Sequence, residues 1–262
     1  MPLFKDLEGF ENVSNGLQWA IFIVACLIVV VGLFSICVAI WLAIKYIKFN
    51  RTMNSKNLSG SDAARQILDK NGLQHIKVSV IGSMLFGNSY SHYFKKVRIR
   101  RLTNKKPSIT SLAIGAEKSA LAIMDKEGDK DMKTRVALTP LMYFGPFALI
   151  PLVAIGVLID IIVFNFTGTV TIIAASIGIL LYVISFVLSI MVLKTEIKAQ
   201  KRACEILKND DMATDQEIDM MKELFKLYNI QYINDLILEF LQLLLKILEL
   251  VAKIQNSSSN KS

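Results

Sequence analysis

Two long apolar runs, Leu141–Phe164 and Val170–Leu193, separated only by the polar turn Asn165-Phe166-Thr167-Gly168-Thr169, constrain this chain more than any other feature. Each carries 24 residues, and about 20 in a helix cross the hydrocarbon core of a bilayer. Backbone amides and carbonyls in lipid must be satisfied within their own segment, so the pair reads as a transmembrane helical hairpin. Asp160 is the one charge inside it. An intramembrane carboxylate is a functional suspect by default, which makes a transport role for Asp160 one alternative to weigh.

A third run, Trp19–Ile44, is too long for a secretory signal core. It is followed by Lys45, Lys48, Arg51 and Lys56, the pattern of a retained anchor. Trp19, Trp41 and Tyr46 suit the aromatic belts at its two ends. Composition agrees, with 53% apolar residues and a mean hydropathy of +0.46. The charge is uneven. One Lys faces three acidic residues before Trp19, whereas Lys45–Pro140 holds 19 Lys and Arg against 7 Asp and Glu. By the positive-inside rule the leader 1–18 is external and 45–140 cytoplasmic; the hairpin 141–193 goes out and returns, leaving 194–262 cytoplasmic. The basic excess then faces anionic headgroups. Aromatic platforms are not interleaved with these charges, so nucleic acid is not an expected partner. Three cysteines give no disulfide framework.

Between the anchor and the hairpin, Ser59 or Ser61 can cap a helix with Ala64, Ile67 and Leu68 as apolar members, and Asn71-Gly72 ends it. Gln74–Ile81 and Phe94–Arg101 alternate apolar and polar residues, which predicts a small β-hairpin around the turn residues of Phe86–His92. Pro107-Ser108 opens a helix to about Lys126, and Asp125–Lys133 reads as a charged loop. Beyond the hairpin, Lys194–Lys208 continues the third span, and Thr214-Asp215-Gln216-Glu217 is a capping box for the next helix. A last helix, residues 232–254, carries Asp235, Glu239, Gln242, Lys246, Glu249 and Lys253 as one polar stripe on a Leu/Ile-rich cylinder. Its broad apolar face is expected to pack on the hairpin or on a second copy of the chain.

Leu58–Leu73, with Ala64-Arg65, Ile67-Leu68-Asp69 and Asn71-Gly72-Leu73, resembles the opening motif of the membrane-anchored neutral zinc metallopeptidases of bacteria. That family's zinc helix, S-I-x-x-L-A-x-x-A-H-E-x-G-H, runs in frame with Ser108-Ile109, Leu112-Ala113 and Ala116. Arg135, Ala137-Leu138, Pro140 and Phe144-Gly145 keep its approach to the hairpin. Glu196, Ala199 and Lys201-Arg202-Ala203 resemble the segment expected to supply a third zinc ligand. The resemblance implies a gluzincin-type fold: a mainly α membrane protein with three transmembrane helices and a cytoplasmic metallopeptidase-like subdomain.

In H-E-x-x-H, two histidines four apart reach one zinc and the glutamate between acts as general base. Here those positions hold Glu117, Lys118 and Leu121. Sliding the frame back by one puts Glu117 on the base but Ala116 and Ala120 on the ligands. The histidines His75 and His92 lie on the strand and its loop. The expectation is therefore a catalytically inactive homologue in a bacterial plasma membrane. It has no cofactor and only the vestigial positions Glu117, Lys118, Leu121 and Glu196, and it acts as a scaffold or protein-binding subunit, with membrane proteins or its own copies as partners. The alternatives are an active metallopeptidase with atypical zinc ligands and a small transport accessory subunit. In the first case, Leu121 should be packed as core and Lys118 should meet Glu196, placing a fixed ammonium where a metal cation would stand.

Overall fold

The computed structural model describes residues 13–82, 87–163 and 168–259. Its elements in order are α1 (Asn15–Arg51), α2 (Gly60–Lys70), β1 (Lys77–Ile81), β2 (Ser89–Ser91), β3 (Lys96–Arg100) and α3 (Arg101–Asn104). Then follow α4 (Ile109–Lys126), α5 (Lys130–Val163), α6 (Thr169–Asn209) and α7 (Asp215–Ser259). Two compact units emerge. One comprises Met1–Ile36, Leu138–Ile190 and Asn234–Ser262, the other Cys37–Ala137 and Met191–Ile233.

In the first unit, α1 and α6 are long and apolar enough to cross a membrane. Only 17% of the most apolar window of α1 is buried, and Val29, Val30, Leu33 and Phe34 are more than half exposed. A soluble core helix would bury such side chains. The apolar stretch described in α5 is Ile150–Val163. The side chains of 140–149 fall outside the described residues, and so does most of the turn expected at Asn165–Thr169. Asp160 is buried, and it is bonded rather than free. Its carboxylate accepts from the Val170 amide at 3.2 Å, the Thr171 amide at 2.7 Å and the Thr171 hydroxyl at 2.5 Å. Those are donors of the first turn of α6, which lack partners inside the helix. Nearby, a Cβ on Gly156 would stand 2.9 Å from Ala174 Cβ, so α5 and α6 approach closely there.

The second unit owes its architecture to α2 and α4. Ser59 caps α2, accepting from the Asp62 amide, as its sequence predicts. Ala63, Ala64, Ile67 and Leu68 are fully buried. Gly72, at φ +66°, takes the left-handed position after the helix, and Leu73 donates back to the Leu68 carbonyl at 2.8 Å. Arg65 clasps the following loop, donating to the carbonyls of Ile76 (2.7 Å) and Leu73 (3.1 Å) while pairing with Asp69. The Ala-Arg-x-Ile-Leu-Asp pattern thus builds a closed helix–loop unit.

The sheet differs from the expected hairpin. Its order is β1-β3-β2, with β1 parallel to β3 and β2 antiparallel to β3. The hairpin is β2–β3, turning through His92–Lys95 with Lys95 at φ +44°. Alternation reports which face of a strand is buried, not the direction of its neighbour, and both arrangements bury Val97 and Ile99. The expected Asp125–Lys133 loop also shortens, because α4 continues to Lys126 and α5 starts at Lys130. The two helices expected after Asn209 are one, α7. It opens on the predicted capping box, with the Thr214 amide donating to Glu217 Oε2 at 2.7 Å and the Glu217 amide to Thr214 Oγ1 at 3.3 Å. Glu217 also accepts from the Ser55 amide and hydroxyl, tying the linker after α1 to this turn.

Between α2 and α4 the backbones nearly touch. A Cβ on Gly115 would lie 2.3 Å from the Gly60 carbonyl oxygen, and the Gly60 amide donates to Ser111 Oγ at 2.6 Å. Gly115→Ala should therefore force these helices apart and cost roughly 1–3 kcal/mol. A lower unfolding midpoint of the purified chain in detergent is the expected result; an unchanged midpoint would refute the close crossing.

Candidate functional site

Helix α4 is buried along almost its whole length, from Ile109 to Met124. Ser108 caps it, accepting from the Ser111 amide. A helix so enclosed favours small and apolar residues, which makes Glu117 and Lys118 near its middle the exception. Charges in such a place must be paired and hydrogen-bonded.

They are. Lys118 Nζ lies 3.0 Å from Glu196 Oε2 and 3.1 Å from Glu117 Oε2, so one ammonium bridges two carboxylates. Arg135, near the start of α5, holds the other Glu196 oxygen at 2.6 Å. Gln200 sits one turn beyond Glu196 on α6 and donates to Glu117 Oε1 at 3.1 Å. Asn229 of α7 donates in turn to Gln200 Oε1 at 2.8 Å. The group lines a cavity of about 270 Å³ with Tyr228, Tyr232 and Asn88 at its border. Leu121, one turn after Lys118, is fully buried in the apolar core.

Electrostatics separate the two carboxylates. Burial disfavours ionisation of Glu196, but Lys118 and Arg135 outweigh it and hold that carboxyl at about 2. For Glu117 burial wins, against the pull of Lys118 and with repulsion from Glu196 adding to it, so its carboxyl titrates above the ordinary range. Burial also opposes the Lys118 ammonium, yet Glu117 and Glu196 overcome it and raise its pKa.

The structure thus brings together Glu117, Lys118 and Glu196, including the expected Lys118–Glu196 contact, and sets Leu121 in the core. Sequence reasoning missed Gln200 and Asn229 as members of the network. The four-residue step from Glu196 to Gln200 is a helical-face signal that could have found the first; nothing in the sequence marks the second. The histidines belong elsewhere. His75 and His92 border a separate cavity of about 140 Å³. There Asp125 receives the Tyr90 hydroxyl at 2.5 Å and lies 2.6 Å from His92 Nδ1, so His92 is engaged rather than merely solvated.

Zinc in a catalytic site takes three protein ligands, mostly His and Cys. The donors around Lys118 are two carboxylates already committed to an ammonium and a guanidinium. Among the described residues, no group of three or more His, Cys, Asp or Glu is placed to hold a metal ion. These residues do not fit zinc.

A model of the family described as "Putative neutral zinc metallopeptidase" matches residues 22–251. No curated protein matches the chain, and no solved structure does.

Removing the ammonium leaves two buried carboxylates facing each other. Lys118→Met should cost roughly 3–5 kcal/mol at neutral pH, the range for breaking a buried pair. The deficit should shrink on acidification, as Glu117 and Glu196 take up protons. In the native chain the sign for Glu196 is the usual one for a lowered carboxyl: its stabilisation is present above about 4.5 and is lost as pH falls toward about 2. Unfolding midpoints of both proteins at pH 7 and pH 5 test this, and equal midpoints at pH 7 would contradict it.

Proposed function

This chain belongs to the neutral zinc metallopeptidase family, and we propose that it is a member in which a lysine has taken the place of the metal, so that it serves as a membrane scaffold or protein-binding subunit without peptidase activity. The observation that supports the reading is Lys118 Nζ, within 3.1 Å of both Glu117 and Glu196, on the helix whose frame resembles the zinc helix. An ammonium can neutralise and position carboxylates, but it has no open coordination position. It can neither lower the pKa of a bound water nor polarise a carbonyl as a Lewis acid.

The alternative of an active peptidase with atypical ligands requires a third donor beside the two carboxylates and displacement of Lys118. The alternative of a transport subunit built on Asp160 must contend with a carboxylate already bonded to the first turn of α6. The scaffold reading needs neither rearrangement.

Metal analysis of the purified chain should find zinc far below one equivalent. Replacing Glu117→His, Lys118→Glu and Leu121→His together should raise zinc content toward one equivalent, because Glu196 would then complete a set of three ligands. Stoichiometric zinc in the native chain would overturn the proposal.

We place the chain in a bacterial plasma membrane, with α1, α5 and α6 spanning it, the amino terminus outside and the basic stretch Lys45–Pro140 cytoplasmic, against anionic headgroups. In a background with Cys26, Cys37 and Cys204 replaced, a cysteine at Ser14 should react with a membrane-impermeant maleimide on intact cells, and one at Lys130 should not. The reverse pattern would invert the topology.

A further inference from the structure

Helix α7 carries a polar stripe that argues against a membrane span, yet its second half folds into the same unit as the apolar segments of α1, α5 and α6. Three contacts fix its course. Ser35 of α1 donates to Asp235 at 3.4 Å. Ala252 is buried in an apolar cluster with Val13 and Ile21, flanked by Leu17, Leu245 and Leu248. The Ser14 amide donates to Gln255 Oε1 at 3.2 Å. As α7 advances from Asp235 to Gln255, its neighbours on the amino-terminal segment retreat from Ser35 to Ser14. The helices therefore run antiparallel, side by side, for about 20 residues, which at about 1.5 Å per residue is about 30 Å. That is about the thickness of the hydrocarbon core.

We infer that residues 235–255 of α7 cross the bilayer as a further transmembrane helix, antiparallel to α1, with Ile237, Phe240, Val251 and Ile254 turned to lipid. This rests on the reading that α1 spans the membrane through Trp19–Ile44: α7 runs beside the Ser14–Ser35 part of that course in the opposite sense. The four side chains are each nearly half exposed, and α1 exposes apolar side chains of its own in the same unit. Bilayer hydrocarbon is the occupant that matches such a surface, since water would penalise every one of them.

Four of the six stripe residues have a partner or a shared cleft on this course, while Gln242 stays exposed. Asp235 accepts from Ser35. Lys246, Glu249 and Lys253 gather along one cavity of about 460 Å³, which Thr171 of α6 also lines, so these charges share a cleft with one another. Glu249 and Lys253 stand one helical turn apart with opposite sign. Lys253 lies two residues from Gln255, where a long side chain reaches the interface. The carboxyl end is thereby brought to the side of the amino terminus, in place of the cytoplasmic carboxyl end expected from charge counting.

Single cysteines at Ser14, Lys130, Ile237 and Gln255, in the background lacking the native cysteines, test this with a water-soluble maleimide. Labelling is read from each face of sealed membranes, with detergent-opened membranes as the reference for reactivity. The expected result is reaction at Ser14 and Gln255 from one face and at Lys130 from the other, with labelling at Ile237 at least tenfold lower until detergent is added. Gln255 reacting from the face of Lys130 would overturn the inference and leave the span of α1 standing. Ser14 and Lys130 reacting from one face would overturn the reading of α1, and this inference with it. Rapid labelling of Ile237 in sealed membranes would place α7 at the water interface and refute the span.

Discussion

An ammonium group buried between two carboxylates is the constraint on which the second unit depends. Lys118 is enclosed on a helix with no solvent-facing side, and isolated it would be among the most costly groups to bury. Glu117 and Glu196 make it tolerable, Arg135 balances the second carboxylate, and Gln200 fills the remaining acceptor of Glu117. With all four ionised, the cluster sums to zero formal charge. Lys118 and Arg135 together supply the two positive charges that a divalent ion would bring to two carboxylates. The cluster forms an electrostatic bond between α4 and α6, and an ammonium offers no open coordination position.

Local chemistry made much of this legible in the sequence. The Ser59 cap, the left-handed Gly72 and the Thr214–Glu217 box each act over a few residues, so their sequence patterns suffice. The Lys118–Glu196 contact could be anticipated because two separate segments aligned with one family pattern, which supplies the long-range proximity that periodicity cannot. Where no such pattern exists, the sequence was silent. Alternation along Lys96–Arg100 reports burial on one face, that along Lys77–Ile81 does not, and nothing in either encodes that the two strands run parallel. Asn229 reaches Gln200 from a third helix, and no spacing rule joins residues so far apart in the chain.

Asp160 and the stripe of α7 show the same limit from the side of apolar surroundings. A lone carboxylate in an apolar run is conspicuous in sequence, but its partners include backbone amides ten and eleven residues later, which every sequence has, beside the Thr171 hydroxyl. The Asp160 carboxylate thereby satisfies donors at the start of α6 from the preceding helix. The charges of α7 also have neighbours that a count along the sequence leaves out. The count treats each charge as exposed to hydrocarbon, whereas Asp235 meets a serine and Lys246, Glu249 and Lys253 line a shared cleft.

A lysine–carboxylate cluster and a metal site respond to different things. A zinc site couples stability to metal supply and to the protonation of its ligands. A lysine–carboxylate site couples it to protons alone, and here unequally. Glu196, with two cations on it, stays ionised down to about 2, whereas burial leaves Glu117 the readier of the pair to accept a proton. If Glu117 is protonated, Lys118 still has Glu196. The cluster thus has one acid that can titrate without breaking the bond between α4 and α6. A metal site could not have released a ligand so freely, since each lost donor lowers its affinity for the ion.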